Sequence, residues 1–94
     1  MGYEFEWDLA KAAENLGRHG VSFDEASTAF ADPLAMLMAD PDHSADEQRF
    51  VLLGLSGRRR LLVVAFTERP PRTRLISARP ATRREREDYE ETEA

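Results

Sequence analysis

The apolar residues in the first third of the chain recur at helical spacing. Asp8 is placed to cap a helix that ends at Gly20, because a left-handed residue commonly terminates a helix. Ser22 and Glu25 form a capping box for a second, shorter helix. Asp32-Pro33 then stops that helix, since the residue before a proline disfavours helical backbone. Two N-terminal helices are predicted.

Beyond residue 33 the pattern changes to that of buried β-strands. Three runs rich in β-branched and aromatic residues are separated by short turns, at residues 49–56, 60–67 and 72–78. These runs predict an antiparallel meander. The apolar run 34–39 permits a fourth strand, and the alternating stretch YEFEW at residues 3–7 permits a brief strand or an anchoring extension.

A last helix is predicted from a second capping box, formed by Thr82 and Glu85, and it runs toward Tyr89. The element order is therefore α-α-β-β-β-β-α. We expect a single domain over residues 1–94 of the α+β class, with two N-terminal helices, a small antiparallel sheet of three to four strands and a C-terminal helix. The helices would cover one face of the sheet and leave the other open to solvent or ligand.

The net charge of −5 hides a partition along the chain. Residues 1–48 carry two cations and eleven acids, residues 49–84 carry ten arginines and one acid, and residues 85–94 carry one arginine and six acids. Such a split is typical of a local basic surface on an acidic protein. Twelve of the thirteen cations are arginine, whose planar fork suits bidentate phosphate recognition. Alternatively, the basic middle neutralises the acidic ends within the fold.

Several classes of protein are excluded by what the sequence lacks. Without cysteine there is neither a disulfide framework nor a thiolate zinc site. A nucleophile elbow, a phosphate-cradling glycine loop, an HExxH motif and a dinucleotide fingerprint are all missing. The N-terminus has no targeting pattern, and the longest aliphatic run, residues 61–66, is too short to span a bilayer. We expect a cytoplasmic protein with no cofactor and no membrane contact.

The first candidate chemistry lies on helix one. At about 100° per residue, a polar stripe forms opposite the leucine face, from Lys11, Asn15, Arg18 and His19. Lys11 and Arg18 suit phosphates, and the His19 imidazole suits proton exchange near neutral pH. The alternative is an ordinary solvated face with a histidine favoured by the helix dipole.

A second candidate is the acidic loop DPDHSADE at residues 40–47. His43 with its neighbouring carboxylates could bind a metal, although the spacing does not match a calcium loop. A His43 oriented by Glu47 would instead suit acid–base chemistry. A plain polar connection is the third possibility.

The third candidate is the set of arginines. In a regular strand Arg72 and Arg74 share a face with Ile76, and Ser77 points the other way. Arg79 follows at the strand end, while Arg58, Arg59 and Arg60 occupy the preceding hairpin. Such cations would hold a polyanion through its phosphates. Arg83, Arg84 and Arg86 have acidic neighbours on the last helix and are expected to pair with them.

Residues spread over nearly the whole chain resemble the BrnT family of bacterial toxins. The combination of HGVSF near the start with ISAR near the end is specific. The matching positions are Phe5-Glu6-Trp7-Asp8, Lys11, Asn15, Arg18-His19-Gly20-Val21-Ser22-Phe23, Glu25-Ala26, Phe30, Asp32-Pro33, Asp42-His43-Ser44, Glu47, Arg49, Gly54, Ile76-Ser77-Ala78-Arg79, Ala81, Glu85 and Tyr89. Two departures are Arg18, where the family often has lysine, and Pro80 after ISAR.

The resemblance implies a RelE-like fold and a ribonuclease that blocks translation. Together with the residue types, it leads to the hypothesis that cleavage needs no metal, because RNA carries its own nucleophile in the 2′-hydroxyl. The resemblance also implies a BrnA-type antitoxin, a ribbon-helix-helix protein that forms a heterotetramer with the toxin and through which alone operator DNA is bound. Our candidates for charge stabilisation are Arg74 and Arg79. The candidates for proton transfer are His19, His43, Lys11 and Tyr89, and those for RNA binding are Arg58, Arg60, Arg72 and Arg18.

Two other interpretations stay open. The chain could be a non-catalytic module whose arginines receive an acidic antitoxin segment. It could also be a degenerate toxin that acts as a transcriptional co-repressor.

Overall fold

Within residues 3–40 and 47–93, which the computed structural model describes, the chain forms five strands and three α-helices. The elements are β1 (Phe5–Glu6), α1 (Leu9–His19), α2 (Phe23–Thr28), β2 (Met36–Ala39), β3 (Arg49–Leu55), β4 (Leu61–Arg69), β5 (Arg72–Pro80) and α3 (Arg83–Glu93). A short 3-10 helix, Ala29–Ala31, follows α2. The α+β class is confirmed, and in the described part of the chain no helix is long and apolar enough to cross a membrane.

The sheet has the strand order β1-β5-β4-β3-β2. Strands β2 to β5 form the predicted antiparallel meander. The prediction of three to four antiparallel strands is wrong in one respect, because β1 adds a fifth strand that pairs in parallel with β5. The brief strand that the alternating stretch YEFEW permits is confirmed, but its parallel pairing with β5 was not predicted. This pairing, with Thr73 and Arg74, is a tertiary contact between distant segments.

A register shift in β5 changes which side chains share a face. Ala65 pairs with Ser77 but the next residue, Phe66, pairs with Leu75, so Ile76 is an extra, bulged residue. Arg74 therefore shares a face with Ser77 and Arg79. The expectation that Arg74 faces the same way as Ile76 was wrong, because strict alternation does not hold across a bulge. We call this side of the sheet the arginine face.

The two faces of the sheet bury separate clusters. The larger cluster packs the α2 region against Leu52, Val64 and Ala78. On the arginine face a smaller cluster forms, in which Tyr89 of α3 packs with Leu53 and Leu61. The helices were expected on one face, yet α3 covers part of the other. Among the described side chains of α3, Tyr89 is the one that is buried, so its sequence pattern gave little indication of the face it covers.

The predicted starts of α1 and α2 and the end of α1 are confirmed by their caps, whereas α2 ends at Thr28 and continues as the 3-10 helix up to Asp32. The Asp8 carboxylate accepts the backbone N–H groups of Ala10 and Lys11 at 2.8 and 3.1 Å, and Gly20 closes α1 with φ 70°. Ser22 accepts the Glu25 N–H at 3.0 Å to start α2.

Helix α1 docks on the sheet through a polar residue. The side chain of Asn15 is 6% exposed, whereas Leu9 and Leu16 are 81% and 52% exposed. Asn15 Nδ2 donates to Ala78 O at 2.8 Å and to Val21 O at 2.9 Å, and Asn15 Oδ1 accepts the Ala78 N–H at 3.0 Å. The amide thus pairs with β5 as a neighbouring strand would, beyond the end of the short β1.

We expect Asn15→Ala to lower the free energy of unfolding by on the order of 3 kcal/mol, because it leaves three buried backbone groups without a partner. Urea denaturation measures the change. Glu14→Ala, an exposed neighbour on the same helix, is the matched control and should stay within about 0.5 kcal/mol of the parent. An Asn15→Ala variant as stable as the control would contradict the docking role of the amide.

Candidate functional site

The polar stripe predicted on α1 faces the edge of β5. A pocket of about 180 Å³ opens there, lined by Lys11, Glu14, Asn15, Arg18, His19, Ile76 and Ser77. Within residues 3–40 and 47–93 neither Lys11 nor Arg18 has an ion-pair partner. Three predicted site residues, Lys11, Arg18 and His19, thus line one pocket with β5, the strand that carries Arg74 and Arg79.

Arg74 lies at the first half of β5, beside β1. Its Nη1 donates to Glu6 Oε2 at 3.0 Å, and the Arg74 side chain remains 30% exposed. The strand register places Arg49, Thr67, Arg74 and Glu6 in one row across four strands. Arg49 was not among the predicted site residues, although its place at the start of a buried strand could have suggested a cation at the sheet.

Next to this row, Arg69 holds the carboxylate of Glu47. Arg69 Nε and Nη2 donate to Glu47 Oε2 and Oε1 at 2.8 and 3.0 Å. These bonds lower the pKa of Glu47, and the charges of Arg74 and Arg49 lower it further. Three arginines, Arg49, Arg69 and Arg74, thus lie near the carboxylates of Glu6 and Glu47 at this end of the sheet.

Arg79, at the other end of β5, is bound by the first turn of α3. Its Nη1 and Nη2 donate to Glu85 Oε1 and Oε2 at 2.8 and 2.9 Å, and Nη1 also donates to Pro80 O at 3.2 Å. The Arg79 hydrogen bonds lower the pKa of Glu85 to about 2. Glu85 also accepts the Thr82 N–H at 2.8 Å, which confirms the predicted capping box.

The expected division of the arginines is therefore wrong in part. Pairing with acids was expected for Arg83, Arg84 and Arg86, yet Arg74 and Arg79 each have an acidic partner. Among the described residues of α3, Arg83 with Glu87, at 3.6 Å, is the ion pair formed within the helix. The capping box turns the Glu85 side chain back toward the strand end, which spacing along the sequence does not reveal.

Arg60, predicted to bind RNA, is engaged within the fold. Its Nε and Nη2 donate to the two oxygens of the buried Glu25, and Nη2 donates to Gly20 O at 3.0 Å. The hydrogen bond from Arg60 lowers the pKa of Glu25 against the effect of burial. Arg60 thus ties the hairpin to both N-terminal helices. Arg58 and Arg72 are exposed and have no ion-pair partner in the described part of the chain.

Tyr89, predicted to transfer a proton, packs with Leu53 of β3 and Leu61 of β4. The tyrosine is 6% exposed, and its hydroxyl donates to Asp32 Oδ2 at 2.6 Å. Asp32 also accepts the N–H groups of Leu34 and Leu55 at 2.9 and 2.8 Å. Burial raises the pKa of Asp32, but these hydrogen bonds lower it more. The position favours anchoring of α3 over chemistry.

His43 lies outside the described residues, as does most of the acidic loop considered as a metal site. Over residues 3–40 and 47–93 no three His, Asp or Glu side chains are grouped as a metal ion would require.

Comparison with known proteins identifies relatives. The family model described as the ribonuclease toxin BrnT of type II toxin–antitoxin systems matches residues 7–85. The 1.1 Å crystal structure of the ribonuclease toxin BrnT from Brucella abortus is similar, with a TM-score of 0.65 and 24% identity, over 86% of this chain and 99% of that one. At this identity the likeness shows a shared fold. Among proteins with curated descriptions, none matches.

The depressed pKa of Glu85 makes a prediction about acid stability. Its ordinary value is 4.5 and its folded value about 2, so ionised Glu85 stabilises the fold above pH 4.5, and this stabilisation is lost as the pH falls toward 2. Between about pH 5 and about pH 3 the parent should lose on the order of 1 to 2 kcal/mol more than Glu85→Gln, since a glutamine side chain does not titrate. Urea denaturation at each pH measures the difference. Equal acid sensitivity of the two proteins would refute the assignment.

Proposed function

We propose that this chain, which belongs to the BrnT family of ribonuclease toxins of type II toxin–antitoxin systems, cuts RNA along β5 without a metal ion. One observation supports this most. The edge of β5 forms a pocket with Lys11, Arg18 and His19, while its face carries Arg74 and Arg79. The candidates for proton transfer and the candidates for phosphate binding therefore lie along a single strand.

The chemistry requires little beyond these residues. The ribose 2′-oxygen attacks the adjacent phosphorus and loses its proton to a base, while the bond to the 5′-oxygen breaks and that oxygen takes a proton from an acid. The products are a 2′,3′-cyclic phosphate and a 5′-hydroxyl. Because RNA carries its own nucleophile, cationic groups that stabilise the pentavalent phosphorane can supply the remaining catalysis.

We assign stabilisation of the phosphorane to Arg79. Because of the bulge, Arg74 and Arg79 pair with β4 residues that are four apart, Thr67 and Val63. At a rise of about 3.3 Å per residue, their Cα atoms lie roughly 13 Å apart. Their guanidinium groups are bound by carboxylates at opposite ends of β5. The two arginines would therefore bind different phosphates. Arg74 would bind one that lies at some distance from the phosphate at which the reaction occurs.

His19 and Lys11 are the proposed proton-transfer residues, since both line the pocket beside Ser77. Arg18 in the same pocket would bind a neighbouring phosphate, together with the exposed Arg72 and Arg58. We leave Tyr89 out of the reaction because its hydroxyl proton is directed to Asp32.

Membership of a type II toxin family supports an antitoxin partner. We propose that a BrnA-type antitoxin, a ribbon-helix-helix protein, neutralises the toxin in a heterotetramer, and that the complex meets operator DNA only through the antitoxin. An acidic antitoxin segment would compete with RNA for the arginines of β5. The target is translated RNA in the cytoplasm.

Arg79→Ala is expected to lower the rate of RNA cleavage by about 10²-fold or more, as the removal of a group that stabilises transition-state charge commonly does. Arg74→Ala should lower it by about tenfold, mainly through weaker binding that depends on salt. The assay uses an in vitro transcribed messenger RNA with purified protein. Arg84→Ala, an exposed arginine of α3, is the matched control and should cleave like the parent.

The same assay with a chelator tests metal independence, and the cleavage rate should not change. Arg79→Ala and Arg74→Ala proteins that remain folded and cleave at the parental rate would overturn the site. A parent protein that binds this RNA without cutting it would favour the binding-module interpretation instead.

A further inference from the structure

The Arg79–Glu85 pair has a geometry that leaves a defined part of the guanidinium open. We propose that Glu85 is a positioning residue that orients Arg79 so that its Nε and the outer hydrogen of its Nη2 receive an RNA phosphate. This inference rests on the proposed function, because it assumes that Arg79 binds a phosphate. Glu85 would not itself contact RNA and would affect cleavage only through the orientation of Arg79.

The donor inventory of Arg79 supports this orientation. A guanidinium has five donor hydrogens: one on Nε and two on each Nη nitrogen. Glu85 takes one hydrogen from Nη1 and one from Nη2, at 2.8 and 2.9 Å, which is end-on binding. Pro80 O takes a second hydrogen of Nη1 at 3.2 Å. The hydrogen on Nε and the outer one on Nη2 remain, and they lie on the same side of the group.

Those two hydrogens form the side-on fork that binds carboxylate or phosphate in a bidentate manner. In the described structure they have no acceptor, and the Arg79 side chain is 40% exposed. A phosphate can therefore bind side-on while Glu85 stays in place. The ion pair does not have to break for RNA to bind.

Two other arginines of the protein show the opposite arrangement. Arg60 binds Glu25 through Nε and Nη2, and Arg69 binds Glu47 through the same two nitrogens. In both, the side-on fork is already filled by a carboxylate. Arg79 is thus distinguished from them by which edge its acidic partner occupies, although all three form bidentate pairs.

Glu85 is itself held in place by the start of α3. Its Oε1 accepts the Thr82 N–H at 2.8 Å, and its own N–H donates to Thr82 Oγ1 at 3.2 Å. The carboxylate is therefore fixed to the helix terminus before it meets Arg79. Arg79 has therefore already lost part of its rotamer freedom, so it loses less conformational entropy on binding phosphate than an unrestrained arginine would.

Glu85→Gln tests the role, since glutamine keeps the size of the side chain and removes the charge that orients the fork. We expect kcat on a short RNA that carries one mapped cleavage site to fall by about tenfold, with KM changed by less than about threefold, because the interaction matters most in the transition state. Glu85→Asp, which keeps the charge, should recover part of the loss.

Two controls separate positioning from simpler effects. Glu87→Gln removes the same charge from the same helix and should leave kcat unchanged. Thr82→Ala removes the Oγ1 acceptor that caps α3 but keeps the backbone N–H that binds the Glu85 carboxylate, so its kcat should also match that of the parent. Equal losses of kcat in Glu85→Gln and Thr82→Ala would show that capping of α3 accounts for the effect and would overturn the inference.

A double-mutant comparison distinguishes this inference from the proposed function. If Arg79→Ala lowers kcat and Glu85→Gln does not, the positioning role is wrong and the site stands. If Arg79→Ala itself has no effect, the proposed site fails. If both single variants lower kcat, Glu85→Gln should add little in the Arg79→Ala background, because Glu85 acts through Arg79.

Discussion

The three hydrogen bonds of the Asn15 amide hold α1, and with it the pocket residues Lys11, Arg18 and His19, against β5. Strand β5 pairs with β1 only at Thr73 and Arg74, so its edge at Ala78 needs other partners. Asn15 supplies both a donor and an acceptor to Ala78 and binds Val21 O as well. A buried backbone group left unpaired costs about 1 to 3 kcal/mol, so this docking is strongly favoured. It turns the polar stripe of α1 toward the strand and leaves the leucines outside.

The arginines of the protein that have acidic partners differ in how they bind them. Arg60 donates through Nε and Nη2, its side-on pair of donors, to the buried carboxylate of Glu25, and so connects the hairpin to the helices. Arg79 donates end-on, through Nη1 and Nη2, to the carboxylate of Glu85. Within the described residues its side-on donors, Nε and the outer hydrogen of Nη2, are open to a ligand. An acidic protein can in this way present phosphate-binding groups, because its carboxylates orient the arginines of β5 as well as neutralise charge. Net charge is therefore a poor guide to this site.

What the sequence predicts well is local. The caps at Asp8, Ser22 and Thr82 follow from side chains within three residues of the groups they bind, and the meander follows from short turns between apolar runs. The parallel strand β1, the bulge at Ile76 and the face covered by α3 are set by packing between distant segments. The same holds for the pairing of Arg60 with Glu25, whose positions lie 35 residues apart. The many arginines in the sequence indicated a phosphate-binding protein. Which of them have side-on donors without a carboxylate partner could be known only from the fold.

The central claim is that RNA lies along β5, between the α1 pocket and the arginine face. The most direct measurement is an NMR titration of the isotope-labelled protein with an RNA oligomer that is 2′-O-methylated throughout and cannot be cut. The largest amide shifts should fall on residues 76–79 of β5 and on Lys11, Arg18 and His19 of α1. Shifts confined to the hairpin at residues 57–60 or to the outer side of α3 would contradict the claim.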